Sequence, residues 1–226
     1  MRKKVAVVNL GCPKNQVDSE VIMGILAQGF EITDEPAEAN TIIVNTCGFI
    51  EDAKAESIET ILEMAEFKRT GACEKIYAAG CLAQRYGQEL LQDIPELDGA
   101  LGDGEIDTIS SFVENTENQK IHTYKECQDF IYSHEMPRIR LSPSYFAYVK
   151  IADGCDNCCS YCAIPQIKGR YRSRPIESIV EETKKLAHEG VKEIALVAQD
   201  TTRYGIDRYG RISLVELLSQ LVRVDG

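Results

Sequence analysis

Short apolar runs alternate with segments of helical periodicity along the first part of the chain. Residues 4–8, 41–44 and 75–79 are rich in β-branched and small apolar residues, which is typical of buried parallel strands. A helical segment follows each run. These segments are marked by Val17, Val21, Ile22, Ile25 and Leu26, by Ile58, Ile61, Leu62 and Ala65, and by residues 83–91. The alternation predicts an α/β fold with a doubly wound parallel sheet.

The alternation weakens and then starts again. Residues 93–143 are rich in Glu, Asp, Asn and Gln, and prolines near their end indicate a connection between domains. Residues 145–151 and 192–198 predict two further strands, with a helix over 176–188 between them. A capping box at Ser213–Glu216 predicts the start of a last helix.

This pattern predicts two domains. Two parallel strands cannot close a barrel, and parallel sheets are normally covered on both faces. We therefore expect the second domain to be a truncated form that holds only the first βα units of a partial (β/α) barrel. The predicted division is a doubly wound N-terminal domain at 1–135, a linker at 136–144 and the second domain at 145–226.

Charge and cysteine usage narrow the class of protein. The formal net charge of -11 argues against direct RNA binding by this segment, because phosphate binding depends on Lys and Arg. The basic run Lys168–Arg174 is the local exception, and it predicts either a solvated loop or an anion contact. The apolar stretch 5–8 is too short for a secretory signal, and no transmembrane run occurs. Many cysteines without such a signal favour a reducing, cytoplasmic location and no membrane partner.

Four of the nine cysteines lie within one short stretch, at positions 155, 158, 159 and 162. Cys155, Cys159 and Cys162 form a CxxxCxxC pattern, and three thiolates on a tight loop can hold three corners of an iron-sulfur cube. The fourth iron would have no protein ligand. As in catalytic metal sites, an open coordination position can bind a small molecule.

Two other interpretations of this stretch remain open. Cys155/Cys158 and Cys159/Cys162 are also two CxxC pairs, as in a zinc site, although zinc ribbons separate their pairs by a dozen or more residues. A redox dithiol is the other interpretation, but a CxxC of that kind stands alone at the start of a helix. Cys158 itself is assigned no role.

Three more cysteines follow predicted strands directly. Cys12, Cys47 and Cys81 each come just after the end of one. The carboxyl ends of parallel strands share one edge of the sheet, where ligands bind in doubly wound folds, so these thiols should emerge together. The alternative is that each is an ordinary small buried residue. Cys73 and Cys127 lie in polar, loop-like surroundings and are assigned no role.

The residues around the first cysteine stretch resemble a known enzyme superfamily. Tyr161 precedes the last cysteine of CxxxCxxC, which is similar to the signature of the radical S-adenosylmethionine (SAM) enzymes. Ala163-Ile164-Pro165 and the run Lys168–Arg174 are similar to the methylthiotransferases within it. Residues 11–15 and 45–50 resemble the N-terminal domain of the same family.

This resemblance implies two 4Fe-4S clusters and SAM as cofactors. One cluster would bind SAM at its open iron and would be held by Cys155, Cys159 and Cys162. An auxiliary cluster would supply sulfur and would be held by Cys12, Cys47 and Cys81. Tyr161 is expected to approach the adenine of SAM, and Gln199 to line the SAM pocket. No residue is assigned an acid–base role.

The family resemblance also implies the reaction. An external electron donor would reduce the first cluster, SAM would be cleaved to methionine and a 5′-deoxyadenosyl radical, and a second SAM would supply the methyl group. The Gly-Cys-Pro-Lys-Asn and Asn-Thr-Cys-Gly-Phe-Ile segments are similar to the RimO branch. That branch modifies the β-carbon of an aspartate in the twelfth small-subunit ribosomal protein. A MiaB-like enzyme acting on tRNA adenosine and a non-catalytic iron-sulfur or zinc protein are the alternatives.

Overall fold

The computed structural model describes residues 2–114, 120–123 and 130–226, and the chain divides into two compact units, Met1–Glu126 and Cys127–Gly226. The strands of the first unit are β1 (Lys4–Asn9), β2 (Glu31–Ile32), β3 (Thr41–Thr46), β4 (Lys75–Gly80), β5 (Gly99–Leu101) and β6 (Ile121–Thr123). Its helices are α1 (Pro13–Leu26), α2 (Glu51–Ala65), α3 (Phe67–Thr70), α4 (Cys81–Asp93) and α5 (Ile109–Glu114).

The described strands of the first unit form one parallel sheet in the order β2-β1-β3-β4-β5-β6. Asn9 of β1 pairs with Asn45 of β3, and Thr46 pairs with Gly80 of β4. The carboxyl ends of these three strands are therefore neighbours. Strand order changes direction at β1, which places the ligand crevice of a doubly wound sheet at this edge. The predicted parallel sheet is confirmed.

Helix α2 turns a different face to the sheet from the one predicted. Ser57, Ile61 and Ala65 are buried at four-residue spacing, whereas Ile58 and Leu62 are exposed. The prediction that these two side chains belong to the buried face is wrong. Periodicity shows that one side of a helix is apolar, but the packing of the helix decides which row of that side meets the strands.

The sequence pattern missed three described strands of the first unit and misplaced one cysteine. β2 spans two residues and β5 and β6 span three each, which is too short for a clear periodic signal. Cys73, predicted in polar surroundings, is buried in the hydrophobic core, and burial raises the pKa of its thiol. Cys127 lies outside the described residues.

The second unit pairs its two long strands in parallel. Its strands are β7 (Phe146–Lys150), β8 (Ala152–Asp153), β9 (Arg172–Ser173) and β10 (Glu193–Val197), and its helices are α6 (Ile164–Ile167), α7 (Ile176–His188), α8 (Ile206–Tyr209) and α9 (Leu214–Leu221). β7 pairs with β10, as predicted for successive βα units. β8 and β9 form a short antiparallel ladder whose two strands flank the cysteine stretch.

The last helix begins where predicted but without the predicted cap. The hydroxyl of Ser213 donates to the carbonyl of Arg211 instead of accepting from the helix. Glu216 pairs with Arg211 at 2.7 Å. The capping-box prediction is therefore wrong, because a neighbouring arginine binds the carboxylate that the box requires.

Residues before the predicted linker pack with the second unit. The Tyr132 hydroxyl accepts from the backbone N–H of Lys150 at 3.0 Å, and Arg138 pairs with Glu182 at 2.6 Å. The boundary between the units thus falls ahead of the predicted linker at 136–144. Among the described residues, no helix is long and apolar enough to cross a membrane.

Candidate metal centres

The first group of cysteines occupies neighbouring turns at the carboxyl edge of the sheet. Cys12 precedes α1, Cys47 follows β3 and Cys81 is the first residue of α4. A Cβ atom at Gly11 would lie 2.8 Å from the Cβ of Cys47, and one at Gly48 would lie 3.1 Å from the carbonyl carbon of Cys81. Only glycine fits such close approaches. The three cysteine-bearing turns therefore lie next to one another at this edge.

A buried amide network holds these turns. The Asn15 side chain donates to the carbonyls of Leu10 at 2.6 Å and Asn45 at 3.2 Å. The Asn45 amide donates to Ser19 at 2.7 Å, and Ser19 donates to Asn9 at 2.8 Å. The side-chain oxygens of Asn15 and Asn45 have no hydrogen-bond partner among the described residues, so the contacts that hold the turns come from the amide nitrogens and the Ser19 hydroxyl. No local pattern in the sequence distinguishes these side chains, although Asn9 and Asn45 stand at strand ends.

Ser57 fixes Cys47 from helix α2. Its hydroxyl accepts from the Cys47 N–H and donates to the Cys47 carbonyl, both at 3.0 Å. Ser57→Ala should cost about 1–3 kcal/mol in the free energy of unfolding, because both backbone groups lose their partner. Urea denaturation checks this, with the exposed Ser219→Ala as control. Equal stability of the two variants would contradict the assigned anchor.

The second group of cysteines lies on the loop that follows β8. Gly154 opens this loop at a φ of +79°, and the Cys155 N–H donates to the Gly169 carbonyl at 3.1 Å. Cys158 also has a positive φ, of 49°. Cys158 and Cys159 are exposed, whereas Cys155 is partly buried. The loop therefore exposes its two middle cysteines, whereas Cys162 is partly buried like Cys155.

Three buried charges lie directly beneath this loop. The carboxylate of Asp153 is 3.1 Å from the Lys150 amine and 3.9 Å from that of Lys168. Burial alone would raise the pKa of Asp153, but the two lysines outweigh it and hold that pKa well below its usual range. The carboxylate is thus ionised, and it cross-links the end of β7 to the segment that follows the cysteines.

Gln199 and Asp200 tie the loop to the end of β10. The Gln199 amide donates to Asp153 at 2.7 Å, and Asn157 donates to the Asp200 carboxylate at 3.0 Å. The Gln199 carbonyl oxygen is buried and has no hydrogen-bond partner among the described residues. Tyr161, by contrast, is 87 % exposed. Gln199 therefore lies against the base of the loop, and Tyr161 projects from it.

The basic run is not a solvated loop throughout. Lys168 and Arg174 are buried, and each forms an ion pair, with Asp153 and Glu182 respectively. The solvated-loop interpretation is wrong for these two cations, because internal carboxylates neutralise them. Arg170 is exposed and lines a hollow of about 360 Å³ beside Cys155 and Cys158.

The donor chemistry of both groups suits iron-sulfur clusters. Such clusters are held by cysteine thiolates, and none of the described cysteines forms a disulfide. Within the described ranges, no three His, Cys, Asp or Glu side chains are gathered closely enough to hold a single metal ion. The fit therefore rests on the donor set and on the turns that carry it.

Two family models match the chain. Residues 4–102 match the family described as "Uncharacterized protein family UPF0004", and residues 149–222 match the "Radical SAM superfamily". The two matches fall in different units and each contains one of the cysteine groups.

Curated relatives extend this likeness over the whole chain. The chain is 54% identical over 227 residues to the ribosomal protein uS12 methylthiotransferase RimO of Desulfitobacterium hafniense (strain Y51), covering 100% of this chain and 51% of that protein. It is 53% identical to the RimO protein of Desulforamulus reducens over 98% of this chain and 50% of the relative. The chain thus spans about half the length of the curated relatives it matches.

Solved structures support the fold. The radical SAM methyltransferase TsrM from Kitasatospora setae, solved with cobalamin and a [4Fe-4S] cluster, matches with a TM-score of 0.57 at 16% identity, over 99% of this chain and 53% of that one. At this identity the likeness concerns the fold alone. Together with the cysteine-bearing turns and the two family matches, the relatives show that the chain belongs to the RimO-like group of the radical SAM methylthiotransferase family.

Proposed function

We propose that this chain is part of a radical SAM methylthiotransferase that adds a methylthio group to the β-carbon of an aspartate in ribosomal protein uS12. The observation that carries the proposal is the presence of two separate thiol groups, CxxxCxxC on one loop and three cysteine-bearing turns at one sheet edge. The names of the relatives supply the substrate. The net charge of -11 argues against tRNA as the substrate.

Each set of three cysteines would hold one 4Fe-4S cluster. Cys155, Cys159 and Cys162 would hold the cluster that binds SAM, and Cys12, Cys47 and Cys81 would hold the auxiliary cluster. When bound and reduced by an external donor, the first cluster supplies one-electron cleavage of the carbon–sulfur bond of SAM. The auxiliary cluster would be the sulfur source.

The remaining residues of the second site would position SAM and the loop. Asp153 holds the loop base through Lys150 and Lys168. The unpaired carbonyl oxygen of Gln199 is available to accept a hydrogen bond from SAM. Tyr161 is free to cover the adenine. The Asn15 and Ser57 networks would hold the auxiliary turns in place.

Iron and sulfide content after anaerobic reconstitution tests the two sites. We expect about eight irons in the wild type and about four in each triple variant, Cys12/Cys47/Cys81→Ala and Cys155/Cys159/Cys162→Ala. Cys73→Ala is the matched control, because Cys73 belongs to neither group, and it should keep all the iron. Stoichiometric zinc, or iron lost only with the second triple, would remove the auxiliary cluster and the sulfur-insertion mechanism.

Substrate and reaction are tested separately. Under reducing, anaerobic conditions the wild-type chain should cleave SAM, and mass spectrometry of uS12 should show a methylthio group on one aspartate. The Cys155/Cys159/Cys162→Ala variant should do neither. Cleavage that persists in that variant would contradict the assignment of the SAM site, and modification of tRNA in place of uS12 would contradict the substrate.

A further inference from the structure

Helix α2 presents a row of apolar side chains to solvent. Ile50, Ile58 and Leu62 are 54%, 38% and 46% exposed. Ile58 and Leu62 lie four residues apart on the side of α2 that also carries Lys54, and Ile50 immediately precedes the helix. Phe49, next to this row, is also exposed. Large contiguous apolar surface on a soluble protein usually marks an interaction site.

A groove runs between this row and helix α4. Its volume is about 470 Å³. The apolar part of its lining is contributed by both helices and consists of Ala55, Ile58, Leu82, Tyr86 and Leu90. The Lys54 amine lies 5.7 Å from the centroid of the Tyr86 ring. We call this feature the α2 groove.

The rim of the α2 groove is acidic. Glu51, Glu89 and Asp93 line it together with Lys54, which pairs with Glu51 at 2.5 Å, and the guanidinium of Arg85 lies 4.9 Å from the centroid of the Tyr86 ring. Further carboxylates on α2 are exposed; they are Asp52, Glu56, Glu59 and Glu63. The surface therefore combines apolar contact area with a strong negative charge.

The α2 groove adjoins the auxiliary cysteines. Helix α2 begins at Glu51, four residues after Cys47, and helix α4 begins at Cys81 itself. The Arg85 side chain of α4 donates to the Gly48 carbonyl at 3.3 Å, which joins the two walls near those cysteines. A polypeptide lying in the groove would therefore end at the turns proposed to supply sulfur.

We propose that the α2 groove docks a Lys- and Arg-rich segment of the ribosomal protein substrate, with an apolar side chain in the groove and cations on its rim. The inference rests on the proposed function. Ribosomal proteins bind RNA phosphates through cationic side chains, so their charge complements this rim. Complementary charge speeds association and favours the matching partner.

Binding of purified uS12 to the full 226-residue chain tests the inference. Truncating the exposed apolar pair in Ile58→Ser/Leu62→Ser should weaken the Kd about tenfold or more. Glu89→Gln/Asp93→Asn should mainly lower the association rate and reduce its dependence on salt.

The matched controls lie in the second unit and carry equivalent changes at exposed positions. They are Val215→Ser/Val222→Ser for the apolar pair and Glu177→Gln/Glu193→Gln for the charges, and both should bind as the wild type does.

Three results would overturn the docking proposal. The wild type could fail to bind uS12, or the groove variants could bind it as the controls do. The third result is a dimer of the chain that Ile58→Ser/Leu62→Ser dissociates. That result would assign the α2 groove to a second copy. Iron content and SAM cleavage are measured on the same samples. If these stay intact while docking fails, the proposed chemistry stands; if the wild type lacks them, the proposed function fails first.

Discussion

Gly154→Ala is expected to displace the CxxxCxxC loop and to remove the iron proposed to bind in the second unit. At a φ of +79° an alanine costs about 1–2 kcal/mol for its left-handed backbone alone. Its Cβ would also lie 2.1 Å from the carbonyl oxygen of Arg170, a backbone atom that cannot rotate away. The Cys155 N–H donates to the carbonyl of Gly169, the residue before Arg170. Moving Arg170 therefore breaks the hydrogen bond that holds the first cysteine.

Iron analysis and urea denaturation check this prediction, with Gly190→Ala as a matched control. Gly190 has a φ of +92°, but a Cβ there meets nothing within 4 Å. The control should therefore lose only about 1–2 kcal/mol in the free energy of unfolding, the cost of its left-handed backbone, and keep all its iron. Gly154→Ala should lose more stability and about four of the roughly eight irons expected for the two proposed clusters. If both variants retain the same iron, the close approach at Arg170 does not hold the loop.

Arg174→Met should destabilise the second unit by about 3 kcal/mol or more, because it leaves a buried carboxylate short of one partner. Arg174 is fully buried, pairs with Glu182 at 2.5 Å and donates to the Lys150 carbonyl at 2.9 Å. Its guanidinium also lies 4.1 Å from the centroid of the Tyr132 ring. Arg138 remains paired with Glu182 in the variant, which sets the loss near the lower end for buried pairs.

Thermal or urea unfolding measures the effect, and Lys184→Met on helix α7, which also carries Glu182, is the control. Lys184 pairs with Glu181 at the surface, where solvent screens the interaction, so little change is expected. Both variants replace one cation with an apolar chain of similar length. Equal stability of the two would show that burial of Arg174 adds nothing to its ion pair.

The two cysteine groups differ in how directly the sequence predicts that their members lie together. CxxxCxxC lies within eight consecutive residues, so its thiols share one loop in any fold. Cys12, Cys47 and Cys81 are distant in sequence, and their proximity could be predicted only because each follows an apolar run. The glycine contacts at Gly11 and Gly48 that allow their turns to meet have no local signal.

The local sequence pattern did not predict which polar groups are buried. Asp153, Lys150 and Lys168 appear as ordinary charged residues along the chain, and Lys168 as part of a solvated run. The structure buries all three together, because the β8–β9 ladder returns the chain to the end of β7. The ion pair between Asp153 and the more distant Lys168 depends on strand register, which no local pattern encodes.

By itself, the sequence determined the alternation of strands and helices, the parallel sheet and the places where the cysteines leave it, since apolar periodicity records which residues must be buried. Tertiary structure alone decided the adjacency of β1, β3 and β4, the exposure of Ile58 and Leu62 on α2 and the charges beneath the loop. Those features depend on which distant segments pack together, and only long-range register and packing specify that choice.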